Sequence, residues 1–440
     1  MATSHTENIS RYDTSIFSDT EIQDIANKYG TPSYVIDEKT LRNQVSILKQ
    51  SYSHYDGKLL IAFSMKSNFN PSVLKIFISE GIHFDIASLG ELYFYLKSGG
   101  DPINVLYTSI TEELDEYSEV LDKGVTKLAV SSYDGLLNLI SASKSSLIQP
   151  EVLVRINPEV DVDALIPATN KKGKFGVPFY GQTQDSAFEL IRKIYFSQYL
   201  NFSGIHFHLG SQINDPACYL ETIDKLELFI STIRKDLPEL QIKILDIGGG
   251  IPVSYSEDVL SPNNFGSVIS KKINELASSI GDNFTLIVES GRFLTAESCV
   301  LISKIVNSKS FIDKKFLIVD SGYHLLLDSA LINHEYPIHL INNSKSFMDS
   351  KVTIAGRLCD SLDVFNISDD KKFSAGRVKD LVVFHKVGAY SIVFNMPFHC
   401  QPKPAILLRQ LDQNIKVIRN AESIDDLFKQ EGGYLSDIPR

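Results

Sequence analysis

The stretch LLIAFSMKSNFN, Leu59 to Asn70, decides how the chain is read. Leu59 to Phe63 form a short apolar run that reads as a buried strand and halts at a polar turn. The turn carries one lysine, Lys66. Asn70-Pro71 then opens a helical pattern, with the proline suited to a first helical turn. A lysine just past a buried strand can be held in an apolar pocket, where desolvation lowers its pKa and makes it a usable nucleophile. A surface lysine in a loop has the same local sequence, so the surrounding chain must decide.

Outward from this stretch a rhythm sets in. Candidate strands at 59–63, 83–87, 104–108, 127–131, 151–156, 202–208, 242–247 and 284–289 alternate with helical patterns at 39–52, 71–80, 111–122, 133–144, 184–195, 219–235 and 266–280. Eight strands with helical crossovers have the count and size of an α/β (β/α)8 TIM-like barrel. A doubly wound open sheet is the alternative, since one sequence does not give strand order. The reactive residue types favour the barrel, because they fall at C-terminal strand ends. From about residue 298 the pattern changes to β-rich alternating runs with little helix apart from 322–332 and 421–429. The expected division is therefore a barrel over 34–297 and a C-terminal antiparallel β-barrel or sandwich domain over 298–440, with residues 1–33 contributing to it.

Composition sets outer limits. The chain has 440 residues, enough for two or three domains, with a net charge of -11 and a sequence pI near 5.4. That balance argues against nucleic acid or an anionic membrane as the main partner. The four cysteines, Cys218, Cys299, Cys359 and Cys400, show no metal-ligand spacing and suit the reducing cytoplasm. MATSHTENIS carries no apolar signal-peptide core, and no apolar run approaches the roughly 18 residues of a membrane span. No metal is expected.

Several strand ends carry chemistry. In GIHFHLGSQI, alternation puts Ile205 and Phe207 on one face and His206 and His208 on the other, with Gly210 and Ser211 following. LDIGGGIP supplies Gly248, Gly249 and Gly250, whose amides can converge on an anion such as phosphate without side-chain obstruction; a tight turn is the plainer explanation. It is not a P-loop, because no Gly-Lys-Ser/Thr follows. In VESGRF, Glu289 could face a cationic ring nitrogen and Arg292, after Gly291, could grip a phosphate, or the two could be a surface ion pair. Arg155 and Asp85 are further charges on strands that otherwise read as buried. In the β domain Cys359 stands beside Asp360, and Tyr390 follows a Gly-Ala pair.

The ordered set AFSMKSN, FDIASLGEL, RINPEVD, KFGV, HFHLGSQ, DIGGG, ESGR, CDSLD and GAYS resembles the fold-type III pyridoxal-phosphate amino-acid decarboxylases, the diaminopimelate, ornithine and arginine decarboxylase group, and its motifs resemble diaminopimelate decarboxylase most. The resemblance runs from about Tyr34 to Leu411. It implies pyridoxal 5'-phosphate as cofactor, with Lys66 forming the Schiff base and decarboxylation passing through a quinonoid intermediate. It implies that His208 stacks on the pyridine ring, that Glu289 pairs with the pyridinium nitrogen, and that Ser211, Gly248–Gly250, Arg292 and Tyr390 hold the phosphate, with Gly291 also in the cofactor site. Asp85 and Arg155 join the cofactor site. Cys359 and Asp360 would enter the active site of the neighbouring subunit of a homodimer, where Cys359 could return a proton to the carbanion.

Substrate choice departs from the diaminopimelate decarboxylase pattern. Where that family carries an arginine for a substrate carboxylate, DSGYHLLLDSAL places Asp328, and a second arginine position appears as Gln401 in FHCQPKP. Losing both cations disfavours a distal carboxylate, so the expected substrate is a diamino acid or an amino-acid moiety of a larger siderophore- or antibiotic-type intermediate, with diaminopimelate disfavoured but still open. Asn333 and His399 lie near this region. Rival readings are a non-catalytic homologue that binds and regulates, as antizyme inhibitors do, a pyridoxal-phosphate racemase, and a metal-dependent barrel hydrolase. The last lacks a His-x-His pair on the first strand.

Overall fold

The structure, a computed structural model, describes residues 16–169, 173–255, 257–312, 314–341, 351–365 and 376–431. The expected polar start of the chain, 1–15, and the last stretch of the expected β domain, 432–440, lie outside the described residues. The chain divides into two compact units, Leu41–Thr295 and Met1–Thr40 with Ala296–Arg440.

The first unit is built on a closed barrel of eight parallel strands, so the open-sheet alternative falls. In chain order the barrel strands are Leu59–Ser64, His83–Ile86, Val105–Tyr107, Lys127–Val130, Glu151–Arg155, Asn201–His206, Ile244–Asp246 and Thr285–Ser290. Each pairs with the next, and the eighth closes on the first with Glu289 opposite Ala62. Helices run between them. Pro71–Ser79 starts where the Asn70 side chain accepts the Ser72 amide at 2.9 Å and Pro71 needs no amide partner.

Strand alternation sorts the side chains. Phe63 points to the helix layer, where it meets Phe77 and Phe84 at ring-centroid distances of 4.5 and 5.9 Å. Ala62, Leu106, Ala129, Leu153, Ile244 and Ile287 point inward and form an apolar plug. Fully burying each leucine or isoleucine of this plug is worth roughly 1.5–3 kcal/mol. Two residues further along their strands, period two brings Arg155, Asp246 and Glu289 to the same inward face, at the C-terminal end. His206 is the register partner of both Arg155 and Asp246, and Asp85 pairs in register with Leu106. The polar layer of the site thus sits on the apolar one. A small antiparallel pair, Ala164–Pro167 with Gly210–Ile213, lies outside the barrel and escaped the sequence reading.

The second unit contains a nine-stranded sheet. Its N-terminal contribution reaches past residue 33: Ser33–Asp37 pairs antiparallel with Cys299–Phe311 and parallel with Ala405–Arg409, and so belongs to this sheet rather than to the barrel. The sheet is mixed, because Lys314–Val319 and Lys351–Ala355 also run parallel. Helix Asp19–Tyr29 opens with a capping box of Ser18 and Glu21 and buries Ile22 and Ile25 in a core with Val35, Val300, Ile302 and Leu407. Of the expected helix at 322–332 only Leu327–Leu331 forms. Its first part is a turn because the Asp363 carboxylate accepts the Tyr323 amide at 2.7 Å and the Leu358 amide at 2.7 Å. No helix among the described residues is long and apolar enough to cross a membrane.

Candidate active site

Lys66 sits in a single 3-10 turn, Met65–Ser67, directly after the first barrel strand. Met65 and Ser67 are buried on either side, and the Ser67 hydroxyl donates to the Ser64 carbonyl at 2.9 Å. Lys66 is therefore the residue of the turn that reaches out of the barrel wall. The apolar pocket expected around it is not there. Its side chain is 46% exposed, and Nζ lies 3.6 Å from Oδ2 of Asp85 on the second strand, which is buried and also accepts from the Thr108 hydroxyl. The reason is register: an inward carboxylate at the end of the neighbouring strand meets the amine before any apolar wall does.

Around this pair stand the other inward residues. Burial pushes the Glu289 carboxyl up to about 8, and the Asp85 charge adds to that while Lys66 and Arg155 oppose it. Asp246 is likewise raised well above the usual carboxylate range, by burial and then by the Glu289 charge. Burial draws Arg155 down, and the acids Glu289, Asp85, Asp246 and Glu112 oppose this; its guanidinium lies 4.7 Å from the Phe175 ring centroid, in the KFGV stretch. His206 and His208 are both held well below the usual imidazole range, by burial first and then by the Arg155 and Lys66 charges, so both rings are neutral. Glu91 lies near the same ion pair. Its carboxylate accepts the Ala87 amide at 2.8 Å, and burial lifts it to about 7.

The glycine loop differs from its expected use. Gly248 donates its amide to Asp246 Oδ1 at 2.8 Å, and Gly249 donates to His208 Nδ1 at 3.1 Å. Two of the three amides are thus spent on orienting Asp246 and His208, which leaves Gly250 as the loop glycine for an anion. The requirement for glycine is steric. A Cβ at Gly248 would stand 2.6 Å from the Phe207 carbonyl, on a backbone with φ of +67°, and one at Gly249 would stand 2.8 Å from the Glu289 carbonyl. Beside the loop, Arg292 donates from Nε to the Ser211 hydroxyl at 3.3 Å and from Nη1 to the Tyr255 hydroxyl at 3.2 Å. Gly291 faces Ser67, where a Cβ would meet the serine at 2.9 Å, so it spaces Arg292 from the lysine turn.

The structure therefore brings Lys66, Asp85, Arg155, His208, Ser211, Gly248–Gly250, Glu289, Gly291 and Arg292 to one end of the barrel. Asp246, Tyr255 and Glu91 were missed by the sequence reading, and His206 was noted only for its face. Asp246 was legible in principle, since it precedes the glycines on a strand whose alternation puts Ile244 inward. Tyr255 lies in an irregular loop that carries no periodic signal.

The remaining candidates belong to the second unit, where Cys359, Asp360 and His399 form a cluster. Tyr323 donates to Asp360 Oδ2 at 3.0 Å and stacks on Phe398 with centroids 6.0 Å apart. Phe398 stacks on His399 at 4.3 Å, and His399 Nδ1 accepts the Cys359 amide at 3.4 Å. Cys359 and His399 are exposed. Asp328 is buried in the short helix, so it does not point outward; Asn333 is exposed with φ of +52°, and Tyr390 has φ of +59°.

Comparison with known families decides what the barrel end is for. The family described as pyridoxal-dependent decarboxylase, pyridoxal binding domain, matches residues 38–296. The chain belongs to the pyridoxal-dependent decarboxylases.

As a member of that family it is a carboxy-lyase acting on an amino acid, with pyridoxal phosphate as cofactor. Among curated relatives it is 29% identical over 421 residues to a diaminopimelate decarboxylase of Helicobacter pylori, covering 94% of this chain and 99% of that protein. It is 28% identical over 419 residues to the diaminopimelate decarboxylase of Methanothermobacter thermautotrophicus, covering 92% of each. Among solved structures, diaminopimelate decarboxylase from Helicobacter pylori complexed with L-lysine superposes with a TM-score of 0.84 at 27% identity, over 94% of this chain and all of that one.

The decarboxylase's own residues fit the cofactor. Glu289 is a buried carboxylate whose Oε1 has no hydrogen-bond partner among the described residues and lies 3.4 Å from His206 Nε2, and a carboxylate placed so can face a cationic nitrogen. Ser211, Tyr255 and Arg292 form a donor set of the kind that takes a phosphate.

Proposed function

We propose that the chain decarboxylates a diamino acid without a second carboxylate, free or carried on a larger intermediate, at a site built around Lys66. The observation that carries the site is the convergence of an amine, a buried unpaired carboxylate, a neutral imidazole and an anion-gripping arginine at the C-terminal end of one closed barrel.

The cofactor, when bound, supplies the conjugated ring that takes up the electron pair left by departing carbon dioxide. Lys66 would hold it covalently through Nζ, and Asp85 keeps that amine at the mouth. His208, its Nδ1 pinned by the Gly249 amide, offers a flat uncharged face for stacking. Glu289 holds the proton on the ring nitrogen by placing negative charge against it. Arg292, Ser211, Tyr255 and the Gly250 amide would grip the phosphate, and Arg155 adds positive charge beside Glu289 and Asp85.

Substrate choice rests on charge. Diaminopimelate, the substrate in the names of the curated relatives, carries a distal carboxylate. By the resemblance, the positions where that family carries cations hold here an acid, Asp328, which is buried, and a neutral amide, Gln401. Two missing charge-assisted contacts of roughly 1.5–3 kcal/mol each lower kcat/KM by about 100-fold or more. In a carbon dioxide release panel of meso-diaminopimelate, lysine, ornithine and arginine, we expect diaminopimelate to be a poor substrate. If it proves the best of the panel, the argument from Asp328 and Gln401 is lost.

The assembly proposed is a homodimer with shared sites, in which Cys359 and Asp360 of one copy serve the barrel of the other. Cys359 then returns a proton to the substrate carbon from Sγ. Its four cysteines, all free thiols, suit the cytoplasm. Mixing the Lys66→Ala and Cys359→Ala proteins should restore up to about a quarter of wild-type activity through hybrid dimers with one intact site. Activity no higher than that of the separate variants would contradict sharing.

A further inference from the structure

The floor of the barrel site holds four buried polar atoms without a hydrogen-bond partner, on three neighbouring residues. They are Nδ1 and Nε2 of His206, Oδ2 of Asp246 and Oε1 of Glu289. The three residues are at most 2% exposed. His206 and Asp246 are register partners on adjacent strands, and one ligating atom from each of the three residues lies within 4.8 Å of the others. His206 Nε2 stands 3.4 Å from Glu289 Oε1. Buried polar groups are almost always paired, so this set calls for an explanation.

Two protonation patterns could pair these atoms, one from each residue lying within 4.8 Å of the others. In the first, Asp246 carries a proton on Oδ2 and donates it to His206 Nδ1, and neutral His206 donates its Nε2 hydrogen to Glu289 Oε1. In the second, a doubly protonated His206 lies between two ionised carboxylates. The second places three charges in a fully buried floor and sets an imidazolium beside Arg155, Lys66 and His208. Burial and those neighbours hold His206 far below the range in which it would charge, while burial and the Glu289 charge lift Asp246 far above its own. The groups facing Glu289 are Lys66 from the first-strand turn, Asp85 from the second strand, Arg155 from the fifth, His206 from the sixth, Asp246 from the seventh, and Tyr219 from the helix Ala217–Ile233.

We propose that Asp246 is a protonated, neutral acid and, with His206, forms a hydrogen-bonded chain that positions Glu289 and keeps it ionised for the cofactor's ring nitrogen. Asp246 and His206 are positioning residues that act through Glu289. The arrangement removes the repulsion between two adjacent buried carboxylates. A histidine N–H on Glu289 Oε1 favours the charged form of that group and leaves its other oxygen for the ring. The Gly248 amide fixes Asp246 from its Oδ1 side, so asparagine can replace the protonated acid atom for atom.

The inference rests on the reading that Glu289 faces the ring nitrogen, but its first test concerns the floor alone. Infrared spectra of the wild-type holoenzyme in heavy water at neutral pH should show the carbonyl band of a protonated carboxylic acid. Asp246→Asn should remove one component of that band, and Glu289→Gln should keep it. The dissociation constant for pyridoxal phosphate should change by less than about threefold in Asp246→Asn and rise about tenfold or more in Asp246→Leu and His206→Phe, with circular dichroism establishing that each variant is folded. A band lost in Glu289→Gln but kept in Asp246→Asn would overturn the proposal. So would a tenfold loss of cofactor in Asp246→Asn, or a tightly held stoichiometric divalent metal in the purified protein.

Discussion

Replacing Lys66 with alanine should cost about 1,000-fold or more in decarboxylation while the protein stays folded. The size follows from the proposed role. An amine that holds the cofactor covalently and moves protons acts at more than one step, so its loss is not made good by binding alone. The fold should survive because the side chain is 46% exposed and the turn is held by its backbone and by Ser67. Asp85 loses a partner but keeps the Thr108 hydroxyl and the Arg155 charge. Lys66→Arg separates two explanations. It preserves the positive charge beside Asp85 but gives no usable nucleophile, and we expect it to be as inactive as alanine. Activity in the arginine variant within about tenfold of wild type would mean that Lys66 serves as a charge only.

Glu289→Gln should lower kcat by roughly 10- to 150-fold, the equivalent of one charge-assisted hydrogen bond of about 1.5–3 kcal/mol present on the reaction path. The same change should make the apo-protein more stable at alkaline pH. Burial, reinforced by Asp85, raises the folded-state carboxyl to about 8, above its unfolded value. A raised acid binds its proton more tightly when folded, so stability declines as pH climbs from the unfolded pKa through the folded one. Glutamine has no proton to lose and escapes that decline. Thermal melts of apo wild type and variant should agree in acid and diverge in favour of the variant toward pH 8 and above. An unchanged kcat, or a variant less stable than wild type at alkaline pH, would contradict the placement of Glu289.

The barrel was legible in the sequence because its signal is local and repeated. Each strand is a short apolar run closed by a turn, and period two then dictates which residues face inward. Glu289, His208 and Arg155 could be found that way because each ends a strand that otherwise reads as buried. The use of the glycine loop could not be found, because it depends on contacts across strands. Gly249 serves His208, and Gly248 serves Asp246, through register and not through sequence spacing. The surroundings of Lys66 were misjudged for the same reason, since Asp85 reaches it from a neighbouring strand. In the second unit, alternation identified strands but not their directions. Ser33–Asp37 joins that sheet by pairing with segments more than 250 residues away, which no local pattern encodes. The turn at Gly322–Leu326 reads as helix until Asp363, far along the chain, takes its amide.

The most direct measurement of the central claim is borohydride reduction of the purified holoenzyme followed by peptide mass spectrometry. The visible absorbance of the bound cofactor should disappear, and a single pyridoxyl adduct should be found on Lys66. An adduct on any other lysine, or none in a protein shown to hold the cofactor, would contradict the account.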